Sequence, residues 1–251
     1  MRQWLGSIAF TLILFLSVPL YGAVALLSAA LPRTVTYGIA KSWARSMLTL
    51  LRLLCRLDYV VEGREHLPSG SAVVLMKHSS AWETLAQLEV FPRQTWVMKR
   101  ELMWIPVFGW VLRLLAPIAI DRRGGGAAVQ QVLAKGRARL DEGLWVIIFP
   151  EGTRMPAGET RRYGLSGALL ATATSRPVIP VAHNAGEFWP RRGWLKRAGT
   201  VRVVIGPPIA TQGEEPRVVN ERAQAWVEAK VAEITGRPIA RPDRAQRERA
   251  A

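Results

Sequence analysis

The sequence predicts an α/β fold in which a mostly parallel, mixed sheet is flanked by helices and preceded by an N-terminal membrane-associated helical segment. Three observations support this prediction. Residues 3–32 carry no charge. From residue 58 onward, short β-like runs alternate with helical stretches, a pattern typical of α/β proteins. The chain has 251 residues, of which 49% are apolar, and is therefore long enough for one large core.

The uncharged N-terminal segment has an apolar core at residues 5–31. A membrane-spanning helix requires ~20 apolar residues, so this segment is long enough to cross a bilayer. Pro19 and Gly22 interrupt it, which leaves a kink or a re-entrant hairpin as alternatives to a straight crossing. Residues 23–25 (Ala-Val-Ala) have the form of a signal-peptide cleavage site, but the length of the segment favours an uncleaved anchor.

Residues 36–57 are predicted to form an amphipathic helix with basic side chains on one face (Lys41, Arg45, Arg52 and Arg56). Such a helix can lie in the membrane interface with its cations among lipid phosphates. It can equally pack on a core and leave the basic face to solvent. Residues 1–57 are therefore predicted to form a membrane anchor plus a basic helix.

Residues 58–237 are predicted to form the α/β domain. Its predicted strands are 59–62, 72–76, 95–98, 117–120, 145–149, 178–182 and 201–205. Its predicted helices are 82–90, 107–115, 127–141, 165–174 and 214–234. The tail at 238–251 is polar and rich in charge, which predicts disorder.

The formal net charge of +15 indicates an anionic partner. No zinc-finger or RNP-type signature supports nucleic acid, whereas basic residues beside an apolar segment favour a phospholipid membrane. The excess of Lys and Arg after Pro32 places the following domain on the cytoplasmic side, as in a bacterial-type inner membrane. The single cysteine, Cys55, excludes an intrachain disulfide and is expected to be a buried apolar residue.

His78 and Glu83 form the first candidate constellation. The sequence places His78 in a short polar loop after a strand and Glu83 in the first turn of the next helix. Histidine is a natural general base near neutral pH, and a carboxylate on its other nitrogen would hold its tautomer. A structural alternative is a capping box, in which Glu83 bonds the backbone amide of Ser80.

Two further strand ends carry groups suited to an anionic substrate. Glu151, Gly152, Thr153 and Arg154 follow one apolar strand, and a guanidinium can bind an oxyanion with two hydrogen bonds. Lys99 and Arg100 follow another strand and precede an apolar, aromatic stretch that would suit a hydrocarbon chain. The histidine that follows a third strand, His183, is expected to be a hydrogen-bonded structural residue.

Taken in the order in which they occur along the chain, the four segments resemble the 1-acylglycerol-3-phosphate acyltransferase family of glycerolipid acyltransferases. Its motifs are H-x4-D/E, K-x-x-L-x-x-I/V-P, F-P-E-G-T-R/S and a V/I-P-V/I block, and the resemblance covers residues 60–206. Two features depart from the commoner pattern. The carboxylate of the first motif is Glu83 rather than Asp, and the Arg-Arg-Tyr run at 161–163 is followed by glycine rather than a basic residue.

The resemblance implies a role for each motif. His78 would be the general base and Glu83 its orienting carboxylate. The groups at 151–154 would bind the acceptor, with Arg154 on its phosphate, and Lys99 and Arg100 would add further phosphate contacts. The implied reaction transfers a fatty acyl group from a coenzyme A or acyl carrier protein thioester to the 2-hydroxyl of 1-acylglycerol 3-phosphate, forming phosphatidate.

Two alternatives remain at this stage. One is an acyltransferase for another lysolipid acceptor, and the other is a non-catalytic protein that binds anionic lipid. Binding alone does not require a base, so the conjunction of His78 and Glu83 with the 151–154 motif favours an enzyme. No cofactor or metal is expected, because the three histidines show neither H-E-x-x-H nor a Cys/His cluster.

Overall fold

The computed structural model describes residues 1–242, and its centre is a seven-stranded sheet. The strands are β1 (Leu57–Glu62), β2 (Val73–Met76), β3 (Gln94–Lys99), β4 (Ile118–Ile120), β5 (Trp145–Ile148), β6 (Val178–His183) and β7 (Gly199–Ile205). Their order is β1-β7-β6-β2-β5-β3-β4. The β6–β7 pair is antiparallel and the other neighbouring pairs are parallel, which confirms the predicted mixed sheet.

Helices cover both faces of this sheet. They are α1 (Arg2–Leu27), α2 (Arg33–Cys55), α3 (Trp82–Val90), α4 (Phe108–Leu114), α5 (Gly126–Asp141), α6 (Ser166–Ala173), α7 (Ala185–Phe188) and α8 (Pro216–Thr235). Each predicted strand and helix of the 58–237 region is present, with ends shifted by a few residues at most. The four-residue helix α7 was not predicted, because it is too short to show a periodic pattern.

The core lies in two layers, one on each face of the sheet. Alternate residues of β2, such as Val74 and Met76, pack with α2 and α3 on one face. The intervening residues, Val73 and Leu75, pack with α5, α6 and α8 on the other. Burial on both faces explains why the central strands are continuous apolar runs in the sequence.

Helices α1 and α2 form an antiparallel hairpin that lies against the domain. At one end, Gln3 Nε2 donates to Cys55 O over 2.8 Å, and near the other end the hydroxyls of Ser28 and Thr36 lie 2.9 Å apart. Pro19 lies inside α1 without ending it. Cys55 is fully buried, which confirms its predicted structural role. The two helices are therefore joined to each other at both ends of the hairpin.

The basic helix α2 packs on the core through Met47, Leu48 and Leu51. On its outer side, Arg45 pairs with Glu89 at 2.7 Å. Of the two arrangements predicted for this helix, packing on the core is therefore the one present in the structure. Contact between the other basic side chains and lipid remains a prediction.

Part of the predicted disordered tail is packed. Ala240 N donates to Gly158 O over 2.8 Å, and Ala240 O accepts from Thr160 N over 2.9 Å. Arg241 forms an ion pair with Glu228 at 2.6 Å. These backbone and ionic contacts are made with distant segments, so local composition could not indicate them. The rest of the predicted tail, 243–251, lies outside the described residues.

Candidate active site

His78 follows β2 at the carboxyl end of the sheet, in the short loop before α3. Its Nδ1 lies 2.8 Å from Oε1 of Glu83, and its ring stacks on Phe149 with centroids 4.3 Å apart. Glu83 is fully buried, while 9% of His78 is exposed. Within residues 1–242, Nε2 of His78 has no hydrogen-bond partner. The imidazole is thus fixed at one nitrogen and on one face, with its second nitrogen available for a substrate.

Glu83 is held in its ionised form. Burial raises its pKa, but the hydrogen bond to His78, the nearby imidazoles and the hydrogen bond from the Ser80 amide together lower it below its ordinary value. The carboxylate is therefore charged near neutral pH and accepts the Nδ1–H of His78. This tautomer leaves a lone pair on Nε2, as a general base requires.

The capping contacts of Glu83 and its hydrogen bond to His78 occur together. Oε1 of Glu83 accepts the amides of Ser79 and Ser80 over 2.9 and 2.8 Å, and Ser80 Oγ accepts Trp82 N over 3.0 Å. The same carboxylate oxygen also bonds His78. The carboxylate at the start of helix α3 is therefore also the group that orients the imidazole.

Glu151 lies beneath the His78 loop, where β5 ends. Its Oε2 accepts His78 N over 2.8 Å. Its Oε1 accepts Lys77 Nζ over 2.5 Å and Thr160 Oγ1 over 2.9 Å. Glu151 is 2% exposed. These contacts favour a supporting role over the acceptor contact predicted from the sequence.

The other predicted acceptor residues follow β5 and β3, which neighbour each other beside β2. Thr153 and Arg154 are half-buried, and Arg154 has no hydrogen bond or ion pair within residues 1–242. Lys99 is exposed at the end of β3, whereas Arg100 pairs with Asp121 at 2.9 Å. All of these residues follow strands at the same edge of the sheet as His78.

Three comparisons relate this arrangement to known proteins. The family profile described as acyltransferase matches residues 58–184. A 1-acyl-sn-glycerol-3-phosphate acyltransferase from Pseudomonas aeruginosa is 41% identical over 238 residues, covering 93% of each chain.

This chain belongs to the acyltransferase family.

The wider comparisons agree. The human 1-acyl-sn-glycerol-3-phosphate acyltransferase alpha is 30% identical over 175 residues, covering 68% of this chain and 62% of the human protein. The crystal structure of the 1-acyl-sn-glycerophosphate acyltransferase from Thermotoga maritima superposes with a TM-score of 0.79 at 24% identity, covering 94% of this chain and 97% of the other. At that identity the superposition shows the fold. The family predicted from the motif order is confirmed, and the protein is an enzyme that transfers acyl groups.

The acyltransferase has an extensive apolar surface along α1. The segment Arg2–Ala30, which contains this helix, is long and apolar enough to cross a membrane, and 22% of its most apolar stretch is buried. Its outer face exposes several large apolar side chains (Leu5, Leu12, Phe15, Leu16, Leu20 and Leu27). Trp104 and Trp110, which flank the contact of Val107 with α1 at Gly22, are also exposed. Exposed apolar side chains in this number indicate association of the enzyme with a membrane.

Two supporting residues of the acyltransferase site, Lys77 and Phe149, were not predicted from sequence. A lysine at the end of an apolar strand is unusual and could have indicated a buried ion pair. His183 was predicted correctly as structural. It is buried, its Nε2 donates to Lys77 O over 2.8 Å, and its Nδ1 accepts Ala185 N over 3.2 Å. Burial is the main cause that lowers its pKa, so the ring is neutral.

Proposed function

We propose that this enzyme transfers a fatty acyl group from an acyl thioester to the 2-hydroxyl of 1-acylglycerol 3-phosphate, forming phosphatidate. The Pseudomonas aeruginosa and human relatives are named for this acceptor. The observation that carries the proposal is the contact between His78 Nδ1 and the buried Glu83 carboxylate, which leaves Nε2 free to act as a base.

His78 acts first on the acceptor hydroxyl. Its Nε2 takes the hydroxyl proton while the oxygen attacks the thioester carbonyl carbon. The ionised Glu83 stabilises the imidazolium that forms. Collapse of the tetrahedral intermediate breaks the carbon–sulfur bond, and the departing thiolate receives the proton from His78. The products are an ester and a free thiol, and no covalent enzyme intermediate is needed.

Arg154 binds the acceptor phosphate in this mechanism. Its guanidinium has no protein partner within residues 1–242, and two hydrogen bonds to a phosphate would satisfy its fixed geometry. Thr153 and Gly152 complete this turn, in which Gly152 has a φ of +67°. Lys99 and Arg100 contribute further positive charge, with Arg100 already partly neutralised by Asp121.

The membrane supplies the lipid acceptor through the α1 surface. Both halves of α1 contact the domain, since Ser7 and Thr11 bond Lys196 and Gly22 lies against Val107. Because α1 contacts the domain along its length, we expect it to insert into one leaflet of the bilayer rather than to span the bilayer. The cationic side of α2 would then face anionic headgroups, with the catalytic domain on the cytoplasmic side of a bacterial-type inner membrane.

The test is an assay of purified enzyme with 1-acylglycerol 3-phosphate and either acyl coenzyme A or acyl carrier protein thioester. We expect phosphatidate from the intact protein and background rates from His78→Ala. A panel of other lysophospholipids under the same conditions measures acceptor choice. Faster turnover of another lysolipid would show that this lysolipid, and not 1-acylglycerol 3-phosphate, is the preferred acceptor. Vesicle binding without turnover of any acceptor would contradict the proposed reaction and indicate a protein that only binds lipid.

A further inference from the structure

A buried ion pair lies directly beneath the candidate base. Lys77 Nζ and Glu151 Oε1 are 2.5 Å apart, and their side chains are 3% and 0% exposed. Lys77 Nζ also donates to Glu159 O over 2.8 Å. Taking two charges out of water is costly, and such a pair is retained only where its geometry satisfies both groups.

Two further hydrogen bonds connect these two residues to the main chain around His78. Glu151 Oε2 accepts His78 N, and His183 Nε2 donates to Lys77 O, each over 2.8 Å. On the other side of the residue, Met155 N donates to His78 O over 2.7 Å. The backbone of the base is therefore held from both neighbouring strand ends, β5 and β6.

Glu151 is poorly placed to bind the acceptor. Both of its oxygens are bonded to protein groups, and its side chain is fully buried. A carboxylate would also repel the phosphate of a lysophosphatidate. Arg154, three residues later in the chain, is positively charged, and its guanidinium has no protein partner within residues 1–242.

We propose that Glu151 and Lys77 form a positioning unit, which sets the location of His78 through its main chain and does not touch the acceptor. This inference rests on the proposed role of His78 as the base. On this proposal, Glu151 affects the rate of the chemical step, whereas Arg154 determines the affinity for the acceptor.

The charge of the pair is tested with Glu151→Gln, Lys77→Met and the double variant. Each single change leaves one buried charge without its partner, whereas the double change removes both charges. In Glu151→Gln, the side-chain amide oxygen can still accept His78 N. We expect kcat to fall about tenfold or more in each single variant, with KM for lysophosphatidate changed less than about threefold. We expect the double variant to recover most of the lost kcat.

The hydrogen bond to His78 N is tested with a matched pair of double variants. Glu151→Leu with Lys77→Met removes the same two charges but also the acceptor for this amide. It should have a kcat about tenfold or more below that of the Glu151→Gln double variant, with similar KM. If the single variants do not fold, as judged by unfolding midpoints in detergent, these two double variants decide the question. Equal kcat values in the two would overturn the proposal.

An acceptor-binding role gives a different pattern. In that case Glu151→Gln would raise KM for lysophosphatidate about tenfold or more at unchanged kcat, and the Lys77→Met change would not rescue it. The variants are compared with His78→Ala in the same assay. Retained turnover by His78→Ala would contradict the proposed function itself. Loss of turnover in His78→Ala, together with a KM effect at Glu151, would contradict only the positioning role.

Discussion

The Nδ1 of His78 and the Oε1 of Glu83 lie 2.8 Å apart, and this carboxylate oxygen also accepts two backbone amides at the start of α3. The imidazole orientation and the helix start therefore depend on one atom. Removal of the carboxylate charge is expected to affect catalysis through the ring, while its replacement by an amide preserves the shape of the loop.

Glu83→Gln should lower kcat by about 10²-fold or more with little change in KM, because the amide cannot stabilise the imidazolium. Glu83→Asp keeps the charge on a shorter side chain, and its kcat should fall between those of Glu83→Gln and the intact enzyme. Steady-state kinetics with saturating acyl donor measure both. A near-normal kcat for Glu83→Gln would show that Glu83 acts only as a helix cap.

Arg154→Ala should raise KM for the lysophosphatidate acceptor by about 10–100-fold, because a charged hydrogen bond contributes ~1.5–3 kcal/mol. The kcat should change less. The matched control is Arg217→Ala, an exposed arginine in the first turn of α8. Equal KM values for the two variants would remove Arg154 from acceptor binding.

His183 makes the stability of the enzyme dependent on pH. Burial lowers its pKa from the ordinary 6.5, so the unfolded chain binds this proton more readily than the folded one. Its contribution to stability is present above pH 6.5 and is lost as pH falls below that value towards the folded pKa, by at most about 1.4 kcal/mol per pH unit.

Unfolding free energies measured across this range should therefore decrease more steeply with falling pH for the intact enzyme than for His183→Gln. The introduced glutamine can still donate to Lys77 O but does not titrate. Parallel curves for the two proteins would show that His183 does not titrate as the structure indicates.

Leu16→Asp combined with Leu20→Asp should detach the enzyme from vesicles, because each aspartate costs about 2.5–3.5 kcal/mol at membrane depth. Both side chains are exposed on the outer face of α1. Flotation with vesicles containing anionic lipid measures the loss. The control is Ser69→Asp in the exposed loop before β2, which should float like the intact protein. Continued flotation of the α1 variant would mean that another surface binds the membrane.

Two helix glycines give a matched test of the α1–α2 hairpin. A Cβ at Gly6 would lie 2.1 Å from Leu54 O, whereas a Cβ at Gly38 would meet nothing within 4 Å. Gly6→Ala should therefore lower the unfolding midpoint. Gly38→Ala should raise stability by up to about 1 kcal/mol through helix propensity. Similar midpoints for the two variants would show that the close contact at Gly6 is absent.

The strands and the contact between His78 and Glu83 were predictable because their signals are local. Continuous apolar runs follow from burial on both faces of a parallel sheet, and His78 and Glu83 are five residues apart across one loop. The contact of Lys77 with Glu151 spans 74 residues and depends on β2 and β5 being neighbours. Strand order is a tertiary property, so the sequence indicated the motif residues but not this pairing.

Long-range packing also explains the remaining differences. Thr11 of α1 contacts Lys196, 185 residues away, and no local pattern predicts that α1 lies along the domain. The bonds of Ala240 to Gly158 and Thr160 order a segment whose composition predicts disorder. In both cases the position of the segment depends on contacts with residues that are distant in the sequence.

The most direct test of the account is the single-turnover rate of phosphatidate formation by His78→Ala, with enzyme in excess over 1-acylglycerol 3-phosphate. His66→Ala is the matched control, because His66 lies outside the site and bonds Ile205 O at 2.8 Å. We predict a rate at least ~10²-fold below normal for His78→Ala and near normal for His66→Ala. A His78→Ala rate equal to that of the control would contradict the role of His78 as the base.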